Sequence, residues 1–287
     1  MKTNSAYPPI IIIGMHRSGT SMIARMLEES GLFLGKKKDI HHEAFFFIHY
    51  NNWLLNQSGG AWDHPAPINY LFENKQARTK VVDYIRYLME TPHVASFLGW
   101  GKYLRYRTPL NLEIPWGWKD PRNTYTLPLW LDIFPNARVI HIYRHGIDVA
   151  SSLKVRQETF LNSKKILYSP YKVIYWLRPK RGGFTDSLRC ASYKDAFSLW
   201  EEYIEQARVH VRDLKDQAIE IKYEDFLLEP NKKLRSLANF CNLDINDATI
   251  AKLSDQVKKE RAYAYKRDAT LQDLTNHVAE RLKAQGY

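Results

Sequence analysis

Four isoleucines in a row, Ile10 to Ile13, begin the hydrophobic pattern of this chain. An unbroken β-branched run without polar alternation predicts a strand buried on both faces, as in a parallel sheet. Small and polar residues follow from Gly14 to Ser21. Met22, Ile23, Met26 and Leu27 then recur at helical spacing, and Gly31 supplies a stop. The same order of strand, tight turn and helix returns at Arg138 to Tyr143, with Arg144, His145 and Gly146 as the turn and Ile147 to Leu153 as the helix. A third instance runs from Ala218 to Tyr223 and continues as helical text through Phe240. Longer helices are predicted at about 43–57, 75–90, 193–214 and 268–284. Strands alternating with helices predict an α/β fold: a doubly wound parallel sheet flanked by helices, with ligands bound at the carboxyl ends of the strands.

The 287 residues read as a single domain, 1–287, with one change of texture. Between about 154 and 190, nine basic residues face two acidic ones, Glu158 and Asp186, with aromatic residues interleaved. That stretch reads as a basic aromatic insertion over the site. It is either a solvated charged loop, a lid for an acidic acceptor, or a patch for peripheral contact with anionic lipid. A net charge of +11 favours an anionic cofactor, acceptor or surface. No nucleic-acid-binding motif is visible, so nucleic acid is not the expected partner. Cys190 and Cys241 are too few and too isolated for a disulfide framework or a zinc site, which fits a reducing, cytoplasmic setting. No apolar run reaches the roughly 18 residues of a transmembrane span, and the N-terminus enters the first strand without a signal-peptide core.

The turn after the first strand, Gly14-Met-His-Arg-Ser-Gly-Thr-Ser21, is spaced like the phosphate loop of nucleotide triphosphatases. Such a turn gathers backbone N–H groups around an anion and adds the positive end of the next helix. The position after the second glycine is Thr20, however, where that pattern has lysine, and the cation is instead Arg17. A metal-bound triphosphate fits this arrangement less well than a single 5′-phosphate carrying a transferable group.

These residues resemble the sulfotransferases that use 3′-phosphoadenosine 5′-phosphosulfate (PAPS). Gly14 to Ser21 is similar to their 5′-phosphosulfate loop, in the version with arginine at position 17. Arg138 to Leu153 is similar to their 3′-phosphate segment, so the resemblance places Arg144 and Ser152 on that phosphate. Lys222 to Asp225 is similar to the family's third strand end, with Tyr223 near the adenine. The stretch from Trp118 to Pro135 resembles the one that precedes the 3′-phosphate strand in bacterial members, and Arg261 belongs to a looser basic and aromatic match near the C-terminus. The resemblance thus implies Gly14, His16, Arg17, Ser18, Gly19, Thr20, Ser21, Arg144, Ser152, Tyr223 and Arg261 as cofactor-binding residues. It implies transfer of a sulfuryl group from PAPS to an acceptor hydroxyl without a metal, leaving 3′,5′-adenosine bisphosphate.

Such a transfer needs a base for the hydroxyl proton and positive charge around the sulfuryl and bridging oxygens. Arg17 and Lys119 are the expected cations, with Lys119 alternatively a surface ion-pair partner. Glu43 is the first choice as base and His42 the second, at the head of an amphipathic helix; the alternative is a helix-start carboxylate beside surface histidines. Arg122 and His41 are the acceptor-side candidates. His141 and His145 read as structural. The acceptor stays open among glycans, lipids and small alcohols, acidic or lipid-linked ones included. Two other functions stay open: an NTP-dependent, kinase-like transferase, and a non-catalytic nucleotide- or polyanion-binding protein.

Overall fold

The computed structural model describes residues 7–168 and 185–287, with residues 164–168 described by backbone alone. Four strands, β1 (Ile10–Ile13), β2 (Gly117–Lys119), β3 (Arg138–Tyr143) and β4 (Ala218–Lys222), form one sheet in the order β2-β1-β3-β4. Every pairing is parallel, with Ile11 opposite Trp118 on one side and Val139 on the other. The chain leaves β1, pairs it first with β2 and later with β3, so the end of β1 is the place where the strand order reverses. Open parallel sheets bind ligands at that point.

The described residues divide into two compact units. In the unit formed by residues 1–144 and 203–262, one side of the sheet buries Ile10, Ile12, Ile23, Leu27, Ile140, Ile142, Ile221, Phe226 and Leu237 in a common core. A second apolar group is aromatic. Phe47 stacks on Trp118 with centroids 4.0 Å apart, Trp130 meets Trp118 at 5.2 Å, and Trp116 is fully buried beside them. Truncating Trp118 to alanine in such packing costs about 3–5 kcal/mol.

The unit formed by residues 145–202 and 263–287 is built on the helix Gly146–Tyr168. His145 is buried and stacks on Tyr265 at 4.3 Å, and Asp148 accepts hydrogen bonds from the backbone N–H groups of Ala264 and Tyr265. His145 is therefore a packing residue, as expected.

The helices expected at 75–90 and 193–214 are present as Lys75–Glu90 and Tyr193–Leu214. Elsewhere the pattern is refined. The helix expected from 43 starts at Phe45, so Glu43 lies in the loop before it. The helical text after β4 is two helices, Tyr223–Leu228 and Pro230–Phe240, because Pro230 disfavours helical geometry at Glu229. The helix expected at 268–284 is a 3-10 turn followed by Gln272–His277 and Ala279–Ala284. There the Asp268 side chain takes the Thr270 N–H, and the Thr275 hydroxyl bonds back to the Leu271 carbonyl, both competing with regular helix. The helix expected to reach Leu153 continues to Tyr168, so the first part of the basic insertion is helical. Residues 169–184 of that insertion lie outside the described residues. No described helix is long and apolar enough to cross a membrane.

Candidate active site

The loop after β1 is shaped by backbone constraints. A Cβ on Gly14 (φ +132°) would fall 2.2 Å from the Ile142 carbonyl oxygen, so only glycine lets the loop leave β1 against β3. Arg17 (φ 70°) and Gly19 (φ 89°) are also left-handed, and Gly19 is the N-cap of the helix Thr20–Glu29 with no side-chain cap on its first N–H groups. Uncapped N–H groups at a helix start, preceded by a tight turn, form an anion site. Ser18 Oγ is buried without a hydrogen-bond partner among the described residues, an orphaned donor within the same turn.

Tyr223 closes the loop from β4. Its ring occupies the space that a Cβ on Gly19 would need, 2.2 Å from its nearest carbon, and Tyr223 is only 3% exposed. The Arg144 guanidinium lies 5.1 Å from the Tyr223 ring centroid and donates through Nη2 to the Arg261 carbonyl at 3.1 Å. Loop, Tyr223, Arg144 and Arg261 thus belong to one connected cluster, in which Arg261 contributes a backbone oxygen. Ser152 sits in the second turn of Gly146–Tyr168, in the other unit. The His16 ring meets Trp62 edge-on at 4.8 Å.

The second half of the site is a buried ionic group. Asp39 knits the preceding loop: its Oδ1 accepts the N–H groups of His41 and Glu43, and its own N–H donates to the Glu43 carbonyl. Glu28, on the helix that starts at the phosphate loop, pairs with Lys38 and lies 3.1 Å from His42 Nδ1. Those contacts hold His42 in its left-handed conformation (φ 60°). Glu43 itself is 4% exposed and Lys119 2%. Lys119 Nζ donates to Glu43 Oε1 at 2.6 Å, to Ser21 Oγ at 3.2 Å and to the His41 carbonyl at 3.3 Å. Arg122 Nη1 lies 3.4 Å from Glu43 Oε2 and 2.7 Å from Asp120 Oδ1.

Burial raises the Glu43 carboxyl above the ordinary glutamate range, against the opposing pull of Lys119 and Arg122. Burial also works to lower Arg122, but the Asp120 and Glu43 carboxylates outweigh it and raise Arg122 further above the usual arginine value. His42 moves down, first through burial and then through Lys38, Arg25 and Lys119. Glu43 therefore has the character wanted of a base, while His42 is kept neutral beside Glu28.

The fold brings Arg17, Ser18, Gly19, Thr20, Ser21, Lys119, Glu43 and Arg122 into one unit, and His41 reaches Lys119 through its carbonyl. Lys119 is buried and pairs with Glu43, so it is not the surface ion-pair partner of the alternative reading. His141 is fully buried with Nδ1 2.8 Å from Glu220 Oε2, a core histidine as read from the strand. Sequence reasoning missed Glu28, Asp39, Asp120 and Asn51. Asp39 alone had a local signal, an aspartate two and four residues before His41 and Glu43, the spacing of a turn that bonds its own backbone.

A glycine-cornered loop at the switch point of a parallel sheet, leading through Ser21 and Lys119 to a buried carboxylate, defines an α/β protein whose first loop is joined to a buried ionic group. The chain matches the profile of the Sulfotransferase family over residues 8–247, and it belongs to that family. A curated relative is protein-tyrosine sulfotransferase 1 of Danio rerio, 27% identical over 132 residues; the match covers 46% of this chain and 30% of that protein's length. Among solved structures, the sulfotransferase domain from the curacin biosynthetic pathway superposes with a TM-score of 0.52 at 16% identity, covering 98% of this chain and 99% of that one. The sulfotransferase domain of the Synechococcus PCC 7002 olefin synthase gives 0.46 at 17% identity, over 89% and 82%. The curacin-pathway domain supports the sulfotransferase fold for this chain.

Proposed function

We propose that this sulfotransferase takes its sulfuryl group from PAPS and delivers it to an acceptor hydroxyl, with Glu43 as the base. One observation carries the reading: Lys119 bonds at once to Ser21 of the phosphate loop and to the buried Glu43, linking donor site to base. The residues fit the donor. Gly14, His16, Arg17, Ser18, Gly19, Thr20 and Ser21 would hold the 5′-phosphosulfate, with the orphaned Ser18 Oγ and uncapped helix N–H groups as ready donors. Arg144 would bind the 3′-phosphate, Tyr223 would support the nucleoside, and Arg261 would flank it. When bound, PAPS supplies an activated sulfuryl group.

The chain's own part is proton transfer and charge stabilisation. Glu43 accepts the acceptor's hydroxyl proton, Lys119 and Arg17 stabilise developing negative charge, and the fixed loop amides do the same without reorganising. Neither His42 nor His41 competes for the base role in this reading, since His42 is engaged with Glu28 and His41 reaches Lys119 through its backbone. A reducing setting keeps Cys190 and Cys241 as buried thiols.

Thermal shift with 3′,5′-adenosine bisphosphate, ATP–Mg²⁺ and an oligonucleotide tests the donor assignment. The bisphosphate should raise Tm most; a larger shift with ATP–Mg²⁺ would move the protein to NTP-dependent transfer, and one with oligonucleotide to polyanion binding. An acceptor screen with PAPS and mass detection then addresses the hydroxyl. Tyrosyl peptides enter it because the Danio rerio relative is named for protein tyrosine, beside glycans, lipids and small alcohols.

A further inference from the structure

Arg122 stands out because its surroundings hold it too tightly for a freely adapting surface contact. Its side chain is 13% exposed, and its Nε is buried without an acceptor among the described residues. Its working atom is Nη1, which reaches Asp120 Oδ1 at 2.7 Å and Glu43 Oε2 at 3.4 Å. Asp120 is fully buried and fixed from both sides: Oδ1 also accepts the Arg122 backbone N–H at 2.9 Å, and Oδ2 accepts Asn51 Nδ2 at 2.8 Å. Asn51 is fixed in turn. Its Oδ1 accepts Thr126 Oγ1 at 2.7 Å and Trp130 Nε1 at 2.8 Å, and its Nδ2 also donates to Asn123 Oδ1. A chain of satisfied, buried hydrogen bonds therefore runs from the helices Phe45–Asn56 and Asn123–Ile133 to one oxygen of Glu43.

The other oxygen has a different neighbour. Lys119 holds Oε1 but spends its remaining protons on Ser21 of the phosphate loop and on the His41 carbonyl. An ammonium on a flexible stem can exchange acceptors when new negative charge arrives beside Ser21, whereas a guanidinium locked by Asp120 cannot. The two cations on Glu43 thus have unlike mobility.

We infer that Arg122 is a positioning residue for the base: anchored by Asp120 and Asn51, it holds Glu43 by Oε2, so that Oε1 is the oxygen that exchanges Lys119 for the acceptor hydroxyl and takes its proton. In that step the acceptor O–H bond breaks, its electron pair stays on the attacking oxygen, and the proton bonds to Oε1. The inference rests on the reading of Glu43 as base. It reassigns Arg122 from contact with the acceptor to control of the carboxylate.

The charged groups around Glu43 are Lys119 on β2, Asp120 and Arg122 in the turn after it, and, across the loop, His42 and Lys38 with Glu28. Removing the Arg122 cation leaves the anion less stabilised, so the Glu43 titration must move to higher pH. The test compares wild type with Arg122→Met, which removes the charge, and Arg122→Lys, which keeps it but loses the fork. In the ligand-free protein, carboxyl ¹³C NMR should show the Glu43 titration about one pH unit higher in Arg122→Met and closer to wild type in Arg122→Lys. In turnover, Arg122→Met should lower kcat about 10–100-fold, shift its acid limb upward, and leave acceptor KM and bisphosphate affinity within about threefold.

A raised acceptor KM with unchanged kcat would overturn the inference and make Arg122 an acceptor contact. An unmoved Glu43 titration would overturn it as well. Should Arg122→Met fail to fold, Asp120→Asn releases the clamp while keeping the arginine; the same kcat loss is expected, with the Glu43 titration moved down instead of up, because the Asp120 carboxylate raises it; full activity in that variant refutes the anchor. Absence of sulfuryl transfer in the wild type would sink the proposed function, while the NMR comparison would still decide the role of Arg122.

Discussion

Replacing Lys119 by methionine isolates the ion pair at the centre of the site. The substitution keeps the length of the stem and removes the ammonium that holds Glu43 Oε1 at 2.6 Å. A buried carboxylate that loses its main partner commonly costs about 3–5 kcal/mol. Here the loss has a ceiling, because Glu43 can take up a proton instead of remaining an unpaired anion. Relative to an unfolded glutamate of pKa about 4.3, protonation at pH 7 spans about 2.7 pH units, at about 1.4 kcal/mol each, or roughly 3.7 kcal/mol. At pH 5 the same calculation gives about 1 kcal/mol. A carboxyl raised in the folded state contributes stability at low pH and loses it as pH rises through the folded value, so the damage must grow with pH. Urea unfolding at pH 5, 6 and 7 should show Lys119→Met losing less than about 1 kcal/mol at the low end and more at the high end, up to a bound of about 3.7, since the wild-type carboxyl, itself raised, already carries part of that cost. Adding Glu43→Gln should restore most of the loss at pH 7. A deficit that is the same at every pH, and that Glu43→Gln leaves in place, would refute the reasoning and reduce Lys119 to a packing residue.

Glu43→Gln alone preserves size and removes basicity, so turnover should fall about 10²–10⁴-fold with bisphosphate affinity retained in calorimetry; the same fall in His42→Ala beside an active Glu43→Gln would transfer the role. Arg144→Ala should weaken 3′,5′-adenosine bisphosphate by about 2–4 kcal/mol while AMP changes little, and equal loss of both would remove Arg144 from the 3′-phosphate. Burial holds His141 below the ordinary histidine value, so the stability it contributes is present above about pH 6.5 and lost as pH falls through its folded value. Tm should therefore drop on acidification from pH 7.5 to 5, less steeply in His141→Gln; an unchanged slope would show that other groups carry it.

What could be read from the chain was what neighbours in sequence determine. The isoleucine run, the glycines at 14 and 19 and the hydroxyls at 20 and 21 are all local constraints, and strand, loop and helix formed as their pattern required. The two halves of the site were legible only as lists. Glu43 and Lys119 come from separate elements, and no spacing announces that one would neutralise the other. Reading Glu43 as a helix-start residue placed it by composition, whereas Asp39 instead draws residues 39–43 into a turn of their own and delays the helix to Phe45. Arg122 read as an acceptor contact or a cap for the turn after Pro121. Its actual partner, Asp120, is buried by Asn51, whose role depends on the packing of two helices and leaves no trace in local pattern. Charge counting likewise could not separate Glu28, a partner for His42 and Lys38, from other acidic residues on helix surfaces.

The contact of Tyr223 with Gly19 also bears on how the protein is made. The loop after β1 is synthesised about two hundred residues before the ring that packs against it. Both strands that flank β1 also come from the distant chain, more than a hundred residues on. Contacts closed over such spans come late and slowly in folding. At about 5–20 residues per second, the isoleucine run waits about 5–25 seconds for its partners, an exposed apolar segment that a growing chain must shelter. In the proposed reading, anion binding by the loop would report completion of the sheet through β4 and its following helix. A nucleotide added during refolding would select chains that have made this last closure, and should raise the yield of native protein without speeding the steps before it.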